Sequence, residues 1–123
     1  MLKWAARYGD GWTWHHGTHP KIKGHGPTSY ERYNTRFERI GHLLDVLKKH
    51  CEREKRDFEE LEISLLCPIE LSESAMTPED VIQICEEMAG LGVHHMVFNM
   101  ENDHEIEPIK TVGSEVIPQV KNL

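Results

Sequence analysis

Cysteine is scarce in this chain, and its spacing excludes the usual cysteine chemistries. The 123 residues contain only Cys51, Cys67 and Cys85. An odd number of widely separated cysteines forms neither a disulfide framework nor a paired metal motif. Two of them fall on predicted apolar helix stripes, so we expect all three to be small buried side chains in a reducing compartment.

Basic residues and long apolar runs are also in short supply. The chain has 14 Lys and Arg against 21 Asp and Glu, a formal net charge of −7. This excess of negative charge argues against a nucleic-acid partner. No apolar run is long enough to cross a bilayer, and the start at Met1 lacks a signal-peptide core. We therefore expect no membrane partner and a cytoplasmic location.

The chain begins with a short helix, a turn and a strand. Ala5, Ala6 and Arg7 favour a helix, and Gly9 is suited to the left-handed conformation that ends one. The aromatic run 12–14 then indicates a strand. Residues 15–27 are rich in His, Gly and Pro and predict a loop.

A long helix follows the loop. Thr28 and Glu31 have the spacing of a capping box. Apolar residues then recur at steps of four and three, which predicts one face of a helix of roughly seven turns. These residues are Tyr33, Phe37, Ile40, Leu44, Leu47 and Cys51.

Two further strands and two further helices complete the pattern. Residues 61–67 predict a strand that Pro68 ends. Thr77, Pro78 and Asp80 mark the start of a helix that Gly92 ends. Its predicted buried face comprises Val81, Ile84, Cys85, Met88 and Leu91. Residues 93–98 predict a strand buried on both sides, and the last helix has the stripe Ile109, Val112, Val116 and Val120.

The alternation of helices and strands predicts the fold class. Strands that alternate with helices favour right-handed βαβ crossovers and a parallel sheet. The sequence therefore predicts one α/β domain over residues 1–123, with about three parallel strands alternating with four helices.

Several segments resemble the luciferase-like flavin- or deazaflavin-dependent monooxygenases and oxidoreductases. The segment WAARYGDGW at 4–12 is similar to a helix-to-strand passage of that family, and four further segments follow in order. They are EKRD at 54–57 with the strand at 61–65, TPED at 77–80, GVHHMVF at 92–98, and VIP at 116–118. The resemblance implies a partial TIM (β/α)8 barrel, the C-terminal part of such an enzyme. The family's front half and its glycine-rich phosphate-binding segment have no counterpart in these residues.

The resemblance also implies a cofactor and its contacts. In a (β/α)8 barrel, ligands bind at the carboxyl ends of the strands. Residues 13–16, 68–70 and 99–102 follow the three predicted strands. In the family this rim faces flavin mononucleotide or a deazaflavin coenzyme, which implies Trp12, Thr13, Trp14 and Asn99 as cofactor-binding residues in an incomplete site. A core aromatic that fills the barrel interior is the alternative for Trp12.

Histidines and carboxylates offer possible metal ligands. His15, His16, His19 and His25 share one loop, and imidazoles bind Zn, Ni or Cu ions. Loop histidines lack the fixed orientation of structural sites, so we expect adventitious metal binding at most. His94 and His95 lie at the entry end of their strand and are expected to be structural. The acidic residues Glu101, Asp103, Glu105 and Glu107 lack EF-hand spacing and are expected to be solvated.

Two classes of function are compatible with the sequence. The first is a C-terminal portion of a luciferase-like oxidoreductase that is inactive alone, because three strands do not enclose a reaction centre. The second is a noncatalytic α/β binding or assembly module, with metal binding through the histidine loop as one variant. In either case the two sheet edges lack Lys and Pro, which predicts a homodimer or association with the missing part of a barrel.

Overall fold

The computed structural model describes residues 1–100, 102 and 104–123. Its elements in chain order are helix α1 (Leu2–Tyr8), strand β1 (Gly11–His15), helices α2 (Pro27–Asn34) and α3 (Arg36–Arg53), a 3₁₀ turn (Phe58–Glu60), β2 (Glu62–Ile69), α4 (Pro78–Gly90), β3 (His95–Met100), α5 (Ile106–Thr111), a π-helical turn (Val112–Val116) and α6 (Ile117–Val120). The strands form one parallel sheet in the order β1-β2-β3. The predicted α/β fold with three parallel strands is confirmed.

Helices α3 and α4 and the last helical segment lie on one face of this sheet. Because both crossovers advance in the same direction, β1 to β2 to β3, right-handed connections place α3 and α4 on the same side. An ion pair between Arg36 of α3 and Glu87 of α4, with 2.7 Å between Nη2 and Oε2, joins these neighbours. The last helical segment contacts α4 and lines a cavity with Met96 and Phe98 of β3.

The register of the strands divides their side chains between two faces. We call the side that packs on the helices the helix-covered face; it carries Trp12, Trp14, Ile63, Leu65, Cys67, Ile69, Met96, Phe98 and Met100. We call the other side the open face; it carries Thr13, His15, Glu62, Ser64, Leu66, Pro68, His95, Val97 and Asn99. The buried core is therefore almost entirely on one side of the sheet.

The first turn differs from the prediction. Gly9 is extended, with φ −81° and ψ 154°, rather than left-handed. A Cβ at Gly9 would lie 2.9 Å from the Ala5 carbonyl oxygen, so the position needs glycine for close approach rather than for positive φ. The short α1 packs on α3 and buries Ala6, which supplies the partner that so short a helix requires.

The predicted single long helix is wrong. Thr35 has φ −103° and ψ 14° and separates α2 from α3, and its hydroxyl donates to the Glu31 carbonyl. The capping box at Thr28 is also wrong: Gly26 precedes the helix, and Pro27 at the first position places Thr28 inside the first turn. Ile40, Leu44, Leu47 and Cys51 are buried as predicted. Phe37 is 43% exposed, because the interruption at Thr35 changes the direction of the stripe.

Strand β2 does not end at Pro68, as the sequence predicted, but continues to Ile69. The His16 backbone N–H donates to the Leu66 carbonyl, so the backbone groups of Leu66 point toward β1. Pro68 is two residues further along the strand, so its backbone groups point the same way. Because β1 ends at His15, no hydrogen bond of the sheet is lost at Pro68.

Helix α4 has the predicted start and end. The Thr77 hydroxyl accepts a hydrogen bond from the Asp80 backbone N–H, and the Asp80 carboxylate accepts one from the Thr77 backbone N–H. Together these two bonds form a complete capping box. At the other end Gly92 has φ +96°, and Val93 donates to the Met88 carbonyl. This is the Schellman arrangement, which needs a residue tolerant of positive φ.

Strand β3 is more exposed than predicted. It begins at His95, two residues later than expected, and its side chains alternate between exposed and half-buried. Val97 is 40% exposed on the open face. The prediction of a strand buried on both sides is therefore wrong, because the described helices cover only one side of this edge strand.

The last helical segment is interrupted by a π-helical turn. Ile117 donates to the Val112 carbonyl, five residues back, just before Pro118. Proline has no N–H to donate and its ring clashes with the preceding turn, so a local widening is expected there. Val116 is buried and Val112 and Val120 are half-buried, but Ile109 is 49% exposed and Pro108 is buried in its place.

Candidate functional site

The four expected cofactor contacts do not lie together. Thr13 of β1 and Asn99 of β3 are exposed on the open face. Trp12 and Trp14 lie on the helix-covered face, because side chains alternate along a strand. The structure therefore divides the predicted set into an open-face pair and a helix-side pair.

The two tryptophans form a stacked pair beneath α1 and α3. Their ring centroids are 5.7 Å apart and the rings are 15° from parallel. Trp12 is only 5% exposed and belongs to the main core. This placement fits a core aromatic, which was the alternative for Trp12. Both rings pack toward the helices, however, and not into a barrel interior.

A small concavity lies on the open face at the carboxyl end of β1. Its volume is about 320 Å³, and it is lined by Thr13, Trp14, His15, Arg32 and Leu66. The hydroxyls of Thr13 and Ser64 are 2.7 Å apart and hydrogen-bond across the two strands. The lining combines a hydroxyl, an imidazole and a guanidinium beside an apolar side chain. Such a set can bind a polar ligand that carries negative charge.

The histidine loop does not bring its four imidazoles together. His15 lies near His25 and Arg32, whose charges act on it. His16 and His19 instead contact the ring of Tyr33 edge-on, at centroid distances of 5.4 and 4.9 Å. Among the residues that the structure describes, no three His, Cys, Asp or Glu side chains form a group that could hold a metal ion.

Burial keeps several of these imidazoles neutral. Desolvation lowers the pKa of His16 to about 4, and nearby Arg36 and Arg39 act in the same direction. Burial also lowers the pKa of His15 and of His19 below the ordinary value of 6.5. The three side chains are therefore uncharged at neutral pH, which is the protonation state of a ligand or a general base.

The loop itself is packed against the helices. Gly17 has φ +100°, and a Cβ there would lie 2.4 Å from the backbone nitrogen of Tyr33. Arg39 donates from Nη2 to the carbonyls of His15 and His16, at 3.1 and 3.2 Å. Ile22 is fully buried, and its carbonyl accepts from the Tyr30 hydroxyl at 2.7 Å. These contacts fix the carboxyl end of β1.

A charged network joins the loop to α3 and α4. The Arg36 guanidinium lies 4.1 Å from the ring centroid of Tyr33 while it pairs with Glu87. Lys21 pairs with Asp80 at 2.7 Å, and this contact helps to lower the pKa of Asp80. The network is mainly structural, because each charge already has a partner within it.

The thiols show no sign of activation. Cys51, Cys67 and Cys85 are free and buried, as the sequence predicted. Burial raises the pKa of Cys67 to about 12 and that of Cys85 to about 11. Because the thiolate is the nucleophile, such cysteines are unreactive at neutral pH.

The remaining candidates are two histidines at the entry end of the sheet and the acidic residues that follow β3. His94 accepts from the Ile63 backbone N–H at 3.4 Å, and His95 contacts Glu62 at 3.2 Å, both at the entry end of the sheet. In the acidic cluster, Glu105 and Glu107 are exposed, and Glu107 contacts Lys110 at 3.3 Å. Glu101 and Asp103 lie outside the described residues.

Sequence reasoning missed three residues of the open-face site. Arg32 reaches it from α2, and Ser64 and Leu66 reach it from the central strand. The signal for Ser64 was present: it is a polar residue within the apolar run 61–67, opposite in direction to its neighbours. Nothing in the sequence indicated Arg32, because its position depends on how α2 packs.

Comparison of the chain with models of known protein families and with curated proteins finds no match. Within the part of the chain that the structure describes, no helix combines the length and apolar character needed to cross a bilayer. The site must therefore be interpreted from its own geometry.

Proposed function

We propose that this chain is a section of the wall of a luciferase-like flavin- or deazaflavin-dependent oxidoreductase barrel, with the open face directed toward the cofactor. On this proposal the chain forms a partial (β/α)8 barrel that is inactive alone. The reduced cofactor would supply the redox chemistry, and the chain would orient it and exclude water.

The placement of the helices is the observation that carries the proposal. A doubly wound sheet has helices on both faces because its strand order reverses. Here the order β1-β2-β3 never reverses, and α3, α4 and the last helical segment share one face. Sequential parallel strands with helices on the outer side are the repeating unit of a (β/α)8 barrel. The open face then corresponds to a barrel interior.

The open face also has side chains suited to a cofactor ring. Thr13 and Asn99 can hydrogen-bond to the edge of an isoalloxazine, and Leu66 and Val97 offer apolar contact. His15 and Arg32 lie at the carboxyl end, where phosphate or developing negative charge would be stabilised. Trp12 has no part in this proposal, since it lies on the other face. Trp14 also points to that face, but it is one of the residues that line the concavity.

An NMR titration of the ¹⁵N-labelled chain tests the proposal. Flavin mononucleotide and the deazaflavin coenzyme are added separately. We expect weak, millimolar binding, because three strands surround only part of a ring. Amide shifts should concentrate at Thr13, Ser64 and Asn99, and Arg32→Gln should weaken the binding about threefold by removing a cation. Lys23→Gln is the matched control, because its loop position lies outside the concavity.

Two outcomes would contradict the proposal. The first is an absence of shifts at the carboxyl ends of the strands at several millimolar cofactor. The second is shifts centred on the helix-covered face. Micromolar binding together with substrate turnover would show that the chain is a complete enzyme, and would overturn the statement that it is inactive alone.

A noncatalytic assembly module is the second candidate, and the sheet edges favour it. Both β1 and β3 are edge strands, and neither contains Lys or Pro. Such edges pair readily with other chains. Self-association without any cofactor-dependent shift in the titration above would support this candidate over the first.

A further inference from the structure

A second cavity lies on the helix-covered side, between α1, β1 and α3. Its volume is about 390 Å³, within the range of small-molecule sites. Its walls are the stacked indoles of Trp12 and Trp14 together with the aliphatic side chains of Leu2 and Leu43. Lys3 and His50 complete the polar part of the lining. Trp14 lines both this cavity and the open-face concavity, and the other lining residues of the two differ.

The polar groups of this cavity point to the chemistry of a ligand. The indole N–H groups of Trp12 and Trp14 are both buried and have no hydrogen-bond partner among the described residues. Buried donors without acceptors are costly, and two on adjacent rings are unusual. Hydrogen-bond acceptors brought to the edges of these indoles would relieve that cost.

The charge of the lining is complementary to an anion. Lys3 provides a cation among the lining residues, with its Nζ 5.9 Å from the Trp4 ring centroid, and the His50 imidazole adds an N–H donor. No acidic side chain is among the described residues that line the cavity. This contrasts with a chain whose net charge is −7, so a positive lining is a local exception. The stacked indoles favour a flat ring, because aromatic rings pack best in offset stacks or edge to face.

We infer that the cavity between α1, β1 and α3 binds a planar aromatic anion of one or two rings, whose carboxylate pairs with Lys3 and accepts from the indole N–H groups while its ring packs against Trp12 and Trp14. The inference does not depend on the proposed flavin function, because it concerns the opposite face of the sheet.

Calorimetric titration with 2-naphthoate tests the inference. This probe has two fused rings and one carboxylate, and 2-naphthalenemethanol serves as its uncharged counterpart. We expect one site with a dissociation constant on the order of 100 µM for the anion. Lys3→Gln should weaken 2-naphthoate about fivefold and leave the alcohol unchanged. Lys23→Gln, on the histidine loop, should change neither.

Two variants separate occupancy of the cavity from general loss of fold. Trp14→Leu removes one indole and should weaken both probes at least tenfold. Leu43→Phe fills the cavity from α3 and should block binding while the protein keeps its melting temperature, so the test stands if Trp14→Leu unfolds.

The absence of saturable heat with either probe would overturn the inference, as would binding that Leu43→Phe leaves intact. Equal effects of Lys3→Gln and Lys23→Gln would also overturn it. Indole N–H shifts of Trp12 and Trp14 on adding 2-naphthoate, without shifts at Asn99, distinguish this site from the cofactor site proposed above.

Discussion

The two faces of the sheet are built from the same three strands but differ in almost every physical respect. On the helix-covered face, Ile63, Leu65 and Ile69 are fully buried. On the open face, Thr13 and Asn99 are exposed and Val97 is 40% exposed. The contrast is sharpest in the edge strands, because the central strand β2 also buries Ser64 and Pro68 on the open face. The difference shows that stability is concentrated on one side of this sheet, which leaves the other side available for binding.

The largest effect expected from this comparison is at Leu65. Leu65→Ala should lower the free energy of unfolding by about 4 kcal/mol, because the fully buried side chain would leave a cavity against the helices. Its neighbour Leu66 is half-buried on the open face, and Leu66→Ala should cost about 1 kcal/mol. Urea denaturation measures both. Similar costs at the two positions would mean that the open face is as well packed as the other.

The second prediction concerns the loop that joins β1 to α2. Gly17→Ala should cost about 3 kcal/mol, because it combines positive φ with a Cβ only 2.4 Å from the Tyr33 backbone nitrogen. Gly24 is the matched control: it has φ +88°, and no atom lies within 4 Å of its added Cβ. Gly24→Ala should cost about 1 kcal/mol. Thermal unfolding of the two variants measures both stability costs. Equal losses of stability would show that the loop is not held against α2.

The third prediction is that protonation of the buried His16 destabilises the folded chain in acid. The pKa of His16 is about 4 in the folded chain and near 6.5 when unfolded. Between these values only the unfolded chain binds the proton, so the free energy of unfolding falls as pH drops from about 6.5 to about 4. The loss from this group is at most about 3 kcal/mol, at roughly 1.4 kcal/mol per pKa unit.

Two variants assign this pH dependence. His16→Phe keeps a ring against Tyr33 and removes the titrating group, so it should flatten the pH dependence of unfolding. His42→Gln, at an exposed histidine of α3, is the control and should leave the acid profile unchanged. An unaltered acid profile in His16→Phe would show that other groups cause the loss.

The smallest effect is expected in the self-association of the chain through its two edge strands. We expect a weak homodimer at micromolar concentration, because β1 and β3 both have unpaired edges. Val97→Lys places a charge on the exposed edge strand and should raise the dimer dissociation constant about tenfold, or about 1.4 kcal/mol. Ile117→Lys, at a position on α6 that is 49% exposed, is the control. A monodisperse wild-type monomer in light scattering would contradict the prediction.

Local sequence signals predicted those parts of the fold that depend on short-range physics. The capping box at Thr77 and Asp80 and the glycine that ends α4 are both as expected. Their geometry is set by hydrogen bonds within a few residues, so the residue types suffice. The order of strands and helices likewise follows from their alternation, because handed crossovers leave few topologies.

The errors occurred where distant elements decide the outcome. Pro68 lies within a strand because β1 has already ended beside it. The seven-turn helix is divided at Thr35, and the periodicity of its apolar residues did not indicate the interruption. The candidate site shows the same limit: Thr13 and Asn99 lie on the open face, whereas Trp12 and Trp14 lie behind the sheet.

The sequence by itself determined the α/β class, the parallel sheet and the main apolar stripes, because these depend on periodicity and local hydrogen bonding. Only the tertiary structure decided which strand face is covered, how Arg32 reaches His15, and why four neighbouring histidines do not meet. A sequence pattern records that two sets of side chains point in opposite directions. It does not record which of those directions the helices occupy, since that depends on contacts between residues far apart in the chain.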